Sequence, residues 1–263
     1  MTSERASQQA FFGTSALVFV ASAALTIAWC GSMSTMGAMT MPGGWKMSMA
    51  WMRMPGESWT GTAASFLGMW IAMMVAMMLP SLIPMLWRYR RTVTRTGETR
   101  LGQLTTLVGL GYFFVWTLCG IAVFPLGAEL AEIEMQKATL ARAVPIVAGV
   151  IVVIAGAMQF TAWKAHHLSS CREAPRHGRT LPANAGTAWR EGVRFGLHCG
   201  TSCANLTAIL LVVGVMDLRA MVVVTAAITL ERLAPNGKRV ARAIGGVIVG
   251  AGLVLIVRAI GLR

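Results

Sequence analysis

Long uncharged stretches alternate with short polar ones along the whole chain. Residues 11–29, 58–87, 101–128, 143–163 and 195–216 run for 19, 30, 28, 21 and 22 residues without an Asp, Glu, Lys or Arg. About 20 apolar residues carry a helix across a bilayer, so the pattern predicts five spans. Two shorter runs, 220–230 and 243–257, cross only if Arg219, Glu231, Arg242 and Arg258 sit at the interfaces, the arginines by snorkelling. The fold class is therefore all-α, a polytopic transmembrane helical bundle of about seven helices, or five to six if the short runs fail to cross. The chain reads as one membrane domain, 1–263: a first anchor helix over 1–32, an external loop over 33–57 and a six-helix core over 58–263. The 19-residue apolar run near the start exceeds the roughly 7–15 residues of a signal-peptide core, so the first helix reads as a retained anchor.

Charge orients these helices. Only 13% of residues are charged and 56% are hydrophobic, yet the net charge is +13. That balance excludes a disordered chain and a small disulfide scaffold. With the N-terminus cytoplasmic, the inner segments 1–10, 88–100, 164–194 and 231–242 hold 16 of the 23 Lys and Arg residues. The positive-inside rule then selects that orientation, and the basic excess becomes a topology signal. No inner loop has a dense basic run, so nucleic acid is not an expected partner and membrane lipid is.

Methionine changes the picture. Of the 19 methionines, eight fall at Met33, Met36, Met39, Met41, Met47, Met49, Met52 and Met54, interleaved with Gly, Ser, Thr and Pro. Such a segment has no sustained helical period and reads as a loop. A thioether is a soft, neutral ligand that needs no deprotonation and suits Cu(I) where thiols are oxidised. The competing reading is a loop that dips into lipid with Trp45 and Trp51. In the second helix Met69, Met73 and Met77 recur every four residues, so they share a face. They fit an ion path or ordinary packing equally well. Pro80 and Pro84 interrupt the backbone ladder of that helix.

Cysteine and histidine supply a second cluster. Cys30 and Cys119 stand alone in apolar runs and read as small fillers. His198, Cys199 and Cys203 open the fifth span, while His166, His167 and Cys171 close the fourth. Cys199 and Cys203 are four apart, as are His167 and Cys171, so each pair lies on one helix face. Both pairs fall at inner ends of neighbouring helices. Thiolates with imidazole make a soft site for Cu(I), with zinc as the alternative. Glu129, Glu132 and Glu134 fall in the next outer loop and read as a solvated cap.

Several segments resemble a family of bacterial integral membrane proteins predicted to bind metal, some described as copper chaperones for copper oxidases such as polyphenol oxidase. The most specific stretch is Trp70, Met73, Met74, Ala76, Met77, Met78, Leu79, Pro80 and Ser81, followed by Pro84. Others are Lys164 to Cys171 and Arg172, Gly196 to Cys199 and Cys203, Gly214 to Leu218, and Leu230 to Pro235. Where the family pattern has further cysteines, this chain carries His167, which keeps a metal ligand, and Ser202, which loses a soft one. The resemblance implies a multi-pass protein of the bacterial cytoplasmic (inner) membrane. It also implies a copper-requiring oxidase or a soluble copper carrier as partner.

These observations predict a Cu(I)-binding membrane protein acting in copper delivery or transport, without enzymatic chemistry. Met33, Met36, Met39 and Met41 would collect the ion, Met69, Met73 and Met77 would pass it, and His167, Cys171, His198, Cys199 and Cys203 would hold it. An oligomer is compatible with this reading. Two rivals predict different behaviour: a structural or assembly subunit whose methionines only pack, and a membrane-embedded redox enzyme using the Cys199–Cys203 pair.

Overall fold

A computed structural model describes residues 2–35, 39–41, 45–47, 51, 52, 56, 58–94, 100–172 and 184–261. Among them are eight helices: α1 (Thr2–Thr35), α2 (Trp59–Thr94), α3 (Leu101–Gln136), α4 (Ala138–Met158), α5 (Ala162–Arg172), α6 (Ala185–Val213), α7 (Leu218–Leu233) and α8 (Gly237–Gly261). Six of these, all but α5 and α7, are long and apolar enough to cross a membrane. Leu17, Val20, Val222, Val247 and Val257 are exposed on the outside of the bundle, the apolar face that hydrocarbon covers in a multi-pass membrane protein.

The helix boundaries follow local chemistry. Asn184 caps α6 by accepting from the Thr187 N–H at 2.8 Å, and Asp217 caps α7 through the N–H groups of Arg219 and Ala220. Gly214 ends α6 at φ +138°, a backbone conformation that L side chains rarely adopt. Lys137 is extended and separates α3 from α4.

Helix α2 runs antiparallel to α1 and α3, and α8 runs antiparallel to α4, whereas α3 and α6 run parallel. At one end Arg90 Nη2 of α2 donates to Ser7 Oγ of α1 at 2.8 Å. At the other, a short antiparallel hairpin, β1 (Met39–Thr40) and β2 (Lys46–Met47), lies over the α3–α4 junction. There Trp45 Nε1 donates to the Ala141 carbonyl at 2.9 Å, and Met41 is buried with Ala131 and Ala141. Cys30 near the end of α1 lies 3.9 Å from Met216 Sδ in the α6–α7 turn.

Several boundaries differ from those the sequence pattern predicts. Glu129, Glu132 and Glu134 belong to α3, whose helix continues past the apolar run to Gln136. The expected 164–194 loop instead begins with α5 and ends within α6, because a turn at 159–161 separates α4 from a further helix. Residues 220–230 and 243–257 extend into the longer α7 and α8.

Two helix pairs approach closely on small residues. Gly192 and Gly196 of α6 lie against α3: a Cβ at Gly196 would sit 2.9 Å from the Tyr112 carbonyl and 2.8 Å from the Val115 side chain. Gly149 and Gly156 of α4 likewise face Gly252 and Val249 of α8. Small residues admit this approach because only their backbone stands at the crossing.

Candidate metal centre

The close α3–α6 crossing brings sulfur and phenol together. Cys199 and Cys203, one helical turn apart on α6, have Sγ atoms 3.8 Å apart and are completely buried. The Cys199 thiol also lies 3.9 Å from Met78 Sδ on α2, and Tyr112 Oη donates to Cys199 Sγ at 2.8 Å from α3. Three helices thus meet at one sulfur. The Cys203 thiol donates back to the Cys199 carbonyl at 2.9 Å.

This donor set fits a soft ion. Both sulfur–sulfur gaps are shorter than twice the ~2.3 Å of a metal–thiolate bond, so neighbouring sulfurs can bind one ion without backbone movement. Two thiols and a thioether suit Cu(I), whose softness matches sulfur. Among the described residues no three His, Cys, Asp or Glu side chains form a metal group, so the closed four-ligand site usual for structural zinc is not assembled by them.

A buried polar network borders the sulfurs. Lys164 of α5, 1% exposed, forms an ion pair with Glu231 of α7 at 2.8 Å and donates to the Ser202 carbonyl and to Asn205 Oδ1. Gln159 Nε2 donates to the other Glu231 oxygen at 2.7 Å, and Asn205 Nδ2 donates to the Ala155 carbonyl. Arg232 donates through Nη1 to Ser81 Oγ at 3.3 Å and through Nη2 to Ser202 Oγ at 3.0 Å. Buried charges persist only when such partners compensate the loss of water.

Lys164 and Arg232, expected among the inner-loop cations, are buried beside the sulfurs instead. A charge at the edge of an apolar run looks interfacial in one dimension. Their signal was present all the same, since ionisable residues within membrane segments mark sites. Met78 was also absent from the expected ligands, because its stripe on α2 differs from that of Met69, Met73 and Met77.

The expected ligands divide into groups. Cys199 and Cys203 come together. His167 does not join them: its Nδ1 lies 3.5 Å from Thr201 Oγ1, and its ring packs edge-on against Trp163 and His166. Thr201 is two residues from both cysteines and so points away from them. His198 is half-buried one position before Cys199, within electrostatic reach of His167. Met69, Met73 and Met77 are buried in the main core. Met33 is half-buried in the last turn of α1, and Met41 is packed under the hairpin. Met36 and the side chains of Met39 and Cys171 lie outside the described residues.

A family model described as PpoB2, copper chaperone, matches residues 67–255. The match spans α2 to α8 and includes Met78, Tyr112, Lys164, Cys199, Cys203, Glu231 and Arg232. The chain matches no curated protein and no solved structure. By the family match it belongs to the copper chaperone family.

Proposed function

We propose that this copper chaperone family member holds Cu(I) as cargo on Cys199, Cys203 and Met78 and delivers it at the bacterial inner membrane. The observation that carries the reading is the sulfur group itself, with gaps of 3.8 and 3.9 Å and a phenol donor on the shared thiol. Thiolate and thioether sulfur bind a soft monovalent ion strongly, and burial protects it from water and oxidants. Tyr112 orients the Cys199 sulfur and stabilises its charge by a hydrogen bond.

In this reading the Met-rich end of the bundle receives the ion, with Met33 and the methionines up to Met54 as weak, exchangeable ligands. Met69, Met73 and Met77 line the way along α2 to the buried sulfurs. His167, His198 and Cys171 offer the route out to a copper-requiring oxidase or a soluble carrier. Residues 1–32 serve as an anchor and 58–263 as the metal-binding core. Positive charge places the N-terminus in the cytoplasm, which reporter fusions in the 36–57 and 173–183 segments would check.

Titration of the purified full chain in detergent with Cu(I), against a chromophoric Cu(I) chelator, tests the proposal. High-affinity binding that disappears in Cys199→Ser/Cys203→Ser supports it. Equal stoichiometry and affinity in wild type and double variant would overturn it.

A further inference from the structure

Arg232 is tied to both helices that carry the sulfurs. Its Nη1 donates to Ser81 Oγ, and Ser81 in turn donates to the Met78 carbonyl at 2.9 Å. Its Nη2 donates to Ser202 Oγ, and Ser202 donates to the Cys199 carbonyl at 2.9 Å. One planar guanidinium therefore spans α2 and α6 through two serines, each bonded to the backbone of a sulfur residue. The guanidinium also lies within electrostatic reach of the Cys199 side chain. All of these groups are buried.

Charge at this position acts differently on different ions. A guanidinium beside the sulfurs attracts the bound thiolates equally whichever metal binds, because the thiolate charge is the same in each case. It also repels the bound cation, and that repulsion scales with the cation's charge in a site from which water is excluded. The guanidinium therefore repels a divalent ion twice as strongly as a monovalent one, so its presence shifts the balance of affinities towards the monovalent ion.

We infer that Arg232, held by Ser81 and Ser202, is the selectivity residue of the sulfur site and sets its preference for a monovalent soft ion over a divalent one. Arg232 acts through charge and position and is not itself a ligand. The inference rests on the function proposed above and adds the property of the ion that the site discriminates.

Ag(I) and Cd(II) test it, since both are soft ions with filled d shells and they differ in charge. Competition titrations on the full chain in detergent give the Ag(I)/Cd(II) affinity ratio for wild type, Arg232→Lys and Arg232→Gln. The expected result is a ratio at least tenfold lower in Arg232→Gln. In Arg232→Lys both affinities fall together, because the fork is lost, while the ratio stays within threefold of wild type. An unchanged ratio in Arg232→Gln, or a ratio in Arg232→Lys that falls as far as in Arg232→Gln, overturns the inference. If Arg232→Gln does not fold, the wild-type ratio decides: Cd(II) bound at Cys199 and Cys203 as tightly as Ag(I) overturns it, and a preference for Ag(I) that persists in Arg232→Lys supports it. A wild-type chain that binds neither Cu(I) nor Ag(I) refutes the proposed function instead.

Discussion

Tyr112 and Cys199 lie on different helices, 87 positions apart in sequence, and share a hydrogen bond of 2.8 Å in which the phenol donates to the sulfur. Both residues are fully buried. The bond exists because α3 and α6 approach on glycine, so the crossing that packs the bundle also supplies the thiol with a donor.

Removing that donor leaves the sulfur in place and takes away its support. Hydrogen bonds to charged groups contribute about 1.5–3 kcal/mol, so Tyr112→Phe is expected to weaken Cu(I) binding by roughly ten- to hundredfold. Chelator competition measures the loss, and helical content by circular dichroism stays at the wild-type level.

The thioether at position 78 is expected to matter as a ligand and not as filler. Leu matches Met in volume, and such swaps in cores cost less than about 1.5 kcal/mol in stability. Met78→Leu therefore keeps its thermal stability within that range while Cu(I) affinity falls at least tenfold. Met221→Leu, at a buried methionine of α7, provides the comparison, with affinity unchanged.

The glycine crossing has its own test. A methyl group at Gly196 meets the Tyr112 carbonyl and the Val115 side chain, and overpacking of this kind costs about 1–3 kcal/mol. Gly196→Ala is expected to lower the unfolding midpoint in detergent and to weaken Cu(I) binding together, because α6 is displaced from the donor on α3.

The Lys164–Glu231 pair is expected to be costly to break and less costly to remove. Lys164→Met strands a buried carboxylate, and breaking a buried pair destabilises by about 3–5 kcal/mol. Lys164→Met/Glu231→Met removes both charges, so its loss of stability is smaller than that of Lys164→Met. A double-mutant cycle on unfolding free energies reads the coupling directly. A double variant as unstable as the sum of the singles would show that the pair does not interact.

Much of the architecture was legible in the order of residues. Runs of 19 to 30 uncharged residues are long enough for helices that cross a bilayer, and a helix satisfies its whole backbone within the segment. The i and i+4 spacing of Cys199 and Cys203 places them on one helix face in any α-helix, and their sulfurs do lie side by side. The partnership of Met78, Tyr112 and Arg232 with that pair was not legible. The five methionines from Met69 to Met78 differ in sequence only by position, and helix rotation within the bundle decides which one reaches the thiol. His167 shows the converse: its spacing to Cys171 and its place beside α6 were readable, yet α5 presents it to Thr201 and away from Cys199 and Cys203.

Local periodicity thus determined the apolar spans, the Cys199–Cys203 face and the charge asymmetry, since each depends only on neighbours along the chain. The tertiary structure decided which side chains share the interior. Lys164, Glu231 and Arg232 sit at the ends of apolar runs, where a one-dimensional reading assigns them to water. Helix packing instead buries them around the sulfurs, because each finds a partner on a different helix and the cost of leaving water is offset only there.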